Sequence, residues 1–541
     1  MRLRFAIFVL GLGGCGQLLG VDELVPAGEC FHAKGPAPLG APCGLDGACD
    51  GLGECRATLG AACEEAASCA TGVCEQGTCC ERACLPCETC GAPDSAGTCA
   101  PVAAGKKAPS GQCAGVCDGS GHCVSGAIEA VWLSQEVGTD VGYGLSRDPD
   151  GKVVVVGQGA GAFGGGANAL FVAKFALGAA LTKVWGVAFG GTAADIGYGV
   201  AHAHDGSLVA VGACANGEAW PLGAPCPGAA GSADGVVAHF DARGAPLATS
   251  FIGSNRNDFV FDAAVSPSGE VVAAGLGAEP LEDLPRPLLA TVSLGDGTLA
   301  TTYFGDGGGV GAFHRIAFRP DGSLVAIGWF SGELSFGEGR SLKSADALDV
   351  LVVGFDAKRE PAWAVSFGGE GDDYGQDLAV DDDGELAIVG QYASELSWGT
   401  GALAASHGPS GFIAKLDADG ELLWGHSLDG TSVVAHSVVR DAWGNWLVAG
   451  YFEGRLTAGT AVTATYQANG THDAFWLKLG RAGTPLWHAV LGGPGTDRAH
   501  RTLLEPDGGS LTVGASDGEF FLEGKPAAHA GTDTLLVKLS P

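Results

Sequence analysis

The sequence of 541 residues predicts an all-β fold, a seven-bladed β-propeller preceded by a small disulfide-rich region. Three observations predict it. A short apolar run closing on glycine recurs seven times beyond residue 126, and a second apolar run recurs seven times in step with it. Sixteen of the 19 cysteines are confined between Cys30 and Cys123. Composition agrees: 93 Gly, 25 Pro and 46% hydrophobic residues describe short apolar strands separated by tight turns.

The first fifteen residues read as an address. Arg2 and Arg4 form a positive start, and the apolar stretch from Phe5 to Leu12 is too short to span a bilayer. The run closes on Leu12-Gly13-Gly14-Cys15, which resembles the lipobox of bacterial lipoproteins. That resemblance implies a lipoprotein signal peptide over 1–14 and lipidation of Cys15, followed by a tether over 15–29. The expected location is the bacterial envelope, at the outer membrane or cell surface, with the acyl chains as the sole membrane attachment. A net charge of −32 repels phosphate backbones and excludes nucleic acid as an expected partner.

Residues 30–125 have too few large apolar side chains to build a core, so disulfides must replace it, each contributing roughly 2–4 kcal/mol. A small repeat is visible, with Leu39, Cys43, Cys49 and Cys55 echoed by Leu59, Cys63, Cys69 and Cys74. Setting Cys15 aside leaves eighteen cysteines, an even number that suits a fully oxidised exported protein. The spacing of Cys84, Cys87 and Cys90 also suits zinc or an iron–sulfur cluster, but export favours disulfides.

From 126 to 541 the recurrent run appears as Val153–Gly157, Leu208–Gly212, Val271–Gly275, Leu324–Gly328, Leu386–Gly390, Trp446–Gly450 and Ser510–Gly514. Turns such as Asp148-Pro149-Asp150-Gly151 precede it, with proline presetting φ and glycine taking the left-handed position. The second run includes Phe171–Phe175, Phe412–Leu416 and Leu535–Leu539. A third strand carries Trp185, Trp363 or Trp487 and ends in a Gly-rich turn, and a weaker fourth follows, as at 374–380. Four short strands repeated seven times predict propeller blades. The last repeat ends at Leu539 without its outer strand, while 131–137 stands alone before the first full repeat, so these two should pair and close the ring.

The unit running from Trp363 through Gly368-Gly369, Asp373-Tyr374-Gly375, Asp381–Gly384 and Phe412–Leu416 resembles the bacterial β-propeller repeat family of exported and surface proteins. The resemblance covers residues 130–541 and is weakest in the third and fourth repeats, which have Ala248 and Ala300 in place of Trp. It implies a scaffold and brings no catalytic residues with it.

Motifs that carry chemistry mostly dissolve in context. Ser516 sits in a Gly-x-Ser-x-Gly pattern at the end of a strand, not at the strand-to-helix turn a nucleophile elbow requires. Gly159, Gly161 and Gly164 match a dinucleotide fingerprint with no helix to follow. Asp373 and Asp497 follow Gly-Gly turns like the start of a calcium nonapeptide, and Asp140, Asp195 and Asp258 share the position. An aspartate accepting bonds from its own turn explains them, with calcium the alternative; no other cofactor is expected. Lys174, Lys415, Lys478 and Lys538 share one strand position, read as a solvated edge.

The long loops between the second and third strands of each blade are the expected binding face, because the opposite face carries only tight hairpins. One such loop is predicted to be tied by Cys214 and Cys226. Trp220, Trp329, Tyr392, Trp398 and Tyr451 lie in or at the roots of these loops as candidate ligand contacts. The expected function is a lipid-anchored envelope scaffold binding a protein or glycan. The alternatives are a propeller enzyme (a polysaccharide lyase, hydrolase or quinoprotein) and a purely structural envelope component.

Overall fold

The structure, a computed structural model, describes residues 126–541 apart from loop segments 135–138, 160–162, 164–167, 179–180, 191–193, 216–219, 221–224, 228–231, 280–283, 338, 399–400, 405–407, 459–465, 468–470, 523–524 and 541. Before residue 126 it describes short paired segments from Phe31–His32 to Cys123–Val124 and scattered residues between them. The expected signal peptide, tether and Cys15 lie outside the described residues. The chain divides into two compact units, Met1–Ser125 and Gly126–Pro541.

In the first unit, antiparallel pairs of two or three residues replace extended strands, such as Pro42–Cys43 with Gly47–Cys49 and Cys55–Ala57. Sulfur does the work of a core. The described bridges are Cys63–Cys74, Cys69–Cys79, Cys80–Cys90, Cys84–Cys99 and Cys87–Cys117, and Cys69, Cys79, Cys80, Cys87 and Cys117 are fully buried. Cys84, Cys87 and Cys90 thus go to three different disulfides.

The second unit is all-β. Its blade 1 is the antiparallel sheet Val141–Arg147, Val153–Gly159, Ala169–Ala176 and Thr182–Phe189, from inner strand to outer. Blades 2, 3 and 4 repeat this order from inner strands Ile196–His202, Phe259–Val265 and Val310–Phe318. Blade 5 begins at Tyr374–Val380, and its outer strand runs on as Leu422–Arg440 to become the inner strand of blade 6. Blade 7 contains Thr496–Leu504, Ser510–Leu522 and Lys525–Leu539, and it takes its outer strand, Ile128–Leu133, from the start of the unit. Val131 faces Val537 and Leu133 faces Leu535, so the expected closure is found, a few residues earlier in the chain than 131–137.

The seven inner strands touch one another in sequence, and that of blade 7 touches that of blade 1, which closes the circle. Each sheet is covered on both faces by its neighbours, and so its strands read as continuous apolar runs; Val153, Val154, Val155 and Val156 are all 0% exposed. The recurrent Trp belongs to the outer strands and seals the joint to the next blade. A Cβ at Gly244 would stand 2.7 Å from the Trp185 ring, and one at Gly420 2.8 Å from that of Trp363. Both glycines also have φ above 80°, so the hairpin needs glycine twice over, for its turn and for the indole.

Two of the four lysines expected on a solvated edge are buried, while Lys538 is partly exposed. Lys174 pairs with Asp148 (2.5 Å) and Lys478 with Asp441 (2.8 Å), and both lysines are buried. In blades 1, 5 and 6 the aspartate that opens the inner hairpin (Asp148, Asp381 or Asp441) receives the lysine from the third strand, two strands across the blade.

Candidate binding site at the channel mouth

Every inner strand slips register by one residue at the same point, and the extra residue is Tyr143, Tyr198, Phe261, His314, Gln376, His436 or His500 in turn. A bulge leaves its residue out of the ladder and re-aims the side chain. Six of the seven bulged side chains form a run of ring contacts on the innermost strands, and all seven are half-buried except His500, which is buried. Ring centroids lie 4.8 Å apart for Phe261 and His314, 5.2 Å for Tyr198 and Phe261, and 5.8 Å for Tyr143 and Tyr198. The arc continues with Tyr143 stacked on His500 at 5.0 Å and His436 5.1 Å from His500.

The residues next along the strands form the channel floor. Asp377 accepts from Arg501 (2.5 Å), from the Ser437 hydroxyl (2.9 Å) and from the Val438 N–H (2.9 Å). Arg315 bridges Asp262 (3.8 Å) and Asp377 (4.0 Å). Two arginines and two aspartates thus balance in the middle of the ring, each hydrogen-bonded or ion-paired as buried charges must be.

Above this floor the imidazoles are neutral. Burial drives His314 and His500 down to about 4, and burial next to His500 and Arg315 drives His436 well below its ordinary value. The His500 Nδ1–H donates to the Gly142 carbonyl (2.9 Å), leaving Nε2 as the acceptor nitrogen. Trp329 Nε1–H donates to His314 Nε2 (3.2 Å). The next layer outward holds Tyr451 against His472 (5.2 Å) and Trp329 against Tyr374 (6.4 Å). The Arg498 guanidinium lies 4.9 Å from the Tyr451 ring centre. Among the described residues it makes no ion pair within 4.0 Å, and its buried Nε has no hydrogen-bond partner.

The expected contacts divide. Trp329 and Tyr451 stand at the channel mouth. Trp220 is 3% exposed, wedged between Phe189 and Phe251 beneath the Cys214–Cys226 disulfide, and so offers no surface to a ligand. Tyr392 is 0% exposed, with its hydroxyl on Ser427 (2.7 Å). Trp398 is half-buried against Phe367. Apolar rings beside a blade gain more from covering its edge than from facing water. Asp373 and Asp497 both accept from their own Gly-rich turns, through Gly369 N–H (2.9 Å) and Gly493 N–H (3.0 Å). The hairpin face, expected to leave little room, has a cleft of about 340 Å³ at the ends of the inner strands of blades 3, 4 and 5, lined by Phe318, Arg319 and Asp381.

The bulged ring was not anticipated, yet a signal for it exists. It stands three residues after the recurrent aspartate, where Asp140, Asp195, Asp258, Asp373 and Asp497 lead to Tyr143, Tyr198, Phe261, Gln376 and His500. A position that is polar or aromatic at one fixed offset in blade after blade marks a channel-facing position.

No protein-family model and no curated protein matches the chain. Solved structures similar to it include Sqt1 from Chaetomium thermophilum (TM-score 0.37, 11% identity, covering 76% of this chain and 100% of that one). The polysaccharide lyase Uly1 aligns over 77% of this chain and 92% of its own, at TM-score 0.40 and 11% identity. An inactive virginiamycin B lyase from Staphylococcus aureus aligns over 75% and 98%, at TM-score 0.36 and 10% identity.

Proposed function

We propose that the protein is a lipid-anchored envelope or surface scaffold that captures an acidic glycan at the mouth of its central channel. The carrying observation is Arg498, a guanidinium without a carboxylate partner among the described residues, in a chain of net charge −32. Beside it, Tyr451 and Tyr143 offer aromatic faces of the kind on which sugar rings stack, and Trp329 offers another in blade 4 beside His314. Neutral His436 and His500 add hydrogen-bonding capacity without adding charge. A carboxylate placed between Arg498 and His472 gains a bidentate, charge-assisted contact. The described disulfides support an oxidising compartment, as export requires.

A second reading, chemistry on the bound glycan, is favoured by the imidazoles of His436 and His500 held neutral 5.1 Å apart beside the Tyr143 ring. A neutral imidazole is a competent proton acceptor. An array of uronate-bearing and neutral oligosaccharides tests the first reading: selective retention of the acidic members supports it, and equal or absent retention rejects it. Shortening of a retained oligosaccharide during incubation establishes the second.

A further inference from the structure

Three blade junctions hold two aspartates side by side. The Asp258 N–H donates to the Ala233 carbonyl (2.8 Å), the Asp373 N–H to Leu348 (2.6 Å) and the Asp497 N–H to His472 (2.8 Å). The residue after each acceptor is again an aspartate: Asp234, Asp349 and Asp473. All six carboxylates are at most 3% exposed.

In the first two junctions the partners are unequally satisfied. Asp258 accepts from Ser254 N–H (2.7 Å), the Ser254 hydroxyl (2.8 Å) and Ala278 N–H (3.0 Å). Asp373 accepts from Gly369 N–H and Ala393 N–H, each at 2.9 Å. Across the joint, Asp349 uses one oxygen on Ala345 N–H (3.0 Å), while its Oδ1 is buried with no partner. Asp234 Oδ1 is buried with no partner either. No lysine or arginine of the described residues pairs with any of these four.

Turn geometry accounts for Asp258 and Asp373 but not for Asp234 and Asp349. An unpaired buried carboxylate is costly, and a second one beside it compounds the cost. Burial and the neighbouring carboxylate push Asp234 up to about 6 and Asp373 up to about 7. A divalent cation removes both penalties together. The donors are hard carboxylate oxygens, Asp234 and Asp349 at the start of third strands and Asp258 and Asp373 just before inner strands, which suits the flexible oxygen coordination of calcium better than the strict octahedron of magnesium.

We infer that the Asp234/Asp258 and Asp349/Asp373 junctions each take one calcium ion, which clamps blade 2 to blade 3 and blade 4 to blade 5. The inference does not depend on the glycan site, since both junctions lie away from Arg498 in sequence and in the ring. The test is calcium titration of the chelator-treated, disulfide-intact full chain, read by bound calcium per chain and by melting temperature. The expected result is at least two calcium ions bound, a melting temperature raised by several degrees, and no comparable rise with magnesium. Asp234→Asn and Asp349→Asn should each lose one bound ion and part of the rise. These near-isosteric changes remove charge without volume. If the wild-type chain retains no calcium, or if either variant melts higher than wild type with and without calcium, the pair shares a proton and the inference is overturned.

Discussion

The ammonium of Lys478 lies 2.8 Å from the Asp441 carboxylate, with side-chain exposures of 1% and 0%. Asp441 is fixed in turn by the N–H groups of Trp443 (2.9 Å) and Asn445 (2.8 Å) at its hairpin. In blade 7 the corresponding lysine, Lys538, pairs instead with Asp507 (3.4 Å), two residues further along its hairpin, where 25% and 56% of the side chains are exposed. Removing one member of a buried pair strands the other, at a cost of about 3–5 kcal/mol, whereas an exposed pair is worth under about 1 kcal/mol. Lys478→Met should therefore lower the denaturation midpoint far more than Lys538→Met. Equal effects in urea titrations would show that the burial of Lys478 does not matter to stability.

The neutral imidazoles give the channel a pH signature. In the unfolded chain a histidine titrates near 6.5, whereas folded His500 and His314 hold at about 4. Between those values the unfolded state binds more protons, so this contribution is fully present above about pH 6.5 and is lost as pH falls toward 4. The raised carboxylate of Asp497, at about 7, acts in the opposite sense, because it is protonated in the folded state and loses stability as pH rises. The wild-type profile mixes the two, and a variant separates them. His500→Asn keeps a donor to the Gly142 carbonyl and removes the titration, so its stability deficit relative to wild type should shrink from pH 7 to pH 4.5. A constant deficit across that range would contradict the neutral state of His500.

Ring closure joins the two ends of the second unit. Ala127 N–H donates to the Ser540 hydroxyl (3.0 Å), and Ser134 bonds Asp533 (2.9 Å) beyond the paired strands. Without Ile128–Leu133, the strand Lys525–Leu539 becomes an open edge, which invites association with other chains. Deleting 128–134 should lower the melting temperature of the whole ring in one cooperative step and produce aggregates on size exclusion. A variant that stays monomeric with an unchanged transition would mean that closure adds nothing.

The Leu-Gly-Gly-Cys run leads to a covalent prediction. Mass spectrometry of the mature protein should find a diacyl or triacyl group on Cys15 as the first residue, and Cys15→Ala should move the chain from the membrane fraction to the soluble one. A mature N-terminus at any other residue contradicts it.

Much of the fold was legible because its frame repeats. Glycine at positive φ in each of the seven inner hairpins, apolar third strands and a Trp on five of the seven outer strands are local demands, and each left its mark on the sequence. The site was harder to read because its residues depend on an arrangement that only the ring creates. Tyr143 and His500 are 357 positions apart and stack at 5.0 Å only because blade 7 abuts blade 1. Trp220 misled for the converse reason. A tryptophan in a disulfide-tied loop reads as exposed, yet Phe189, Phe251 and the disulfide enclose it. Trp220→Ala should cost about 3–5 kcal/mol as a core truncation and should spare ligand capture in whatever fraction remains folded.

The central claim is that Arg498 receives an acid. Calorimetric titration of wild type and Arg498→Gln with one uronate-bearing oligosaccharide tests it most directly, with melting temperature as the control for folding. A charge-assisted hydrogen bond contributes about 1.5–3 kcal/mol, so the variant should bind at least about tenfold more weakly at an unchanged melting temperature. Its affinity for a neutral oligosaccharide should not change. Equal affinity of both proteins for the acidic ligand would contradict the account.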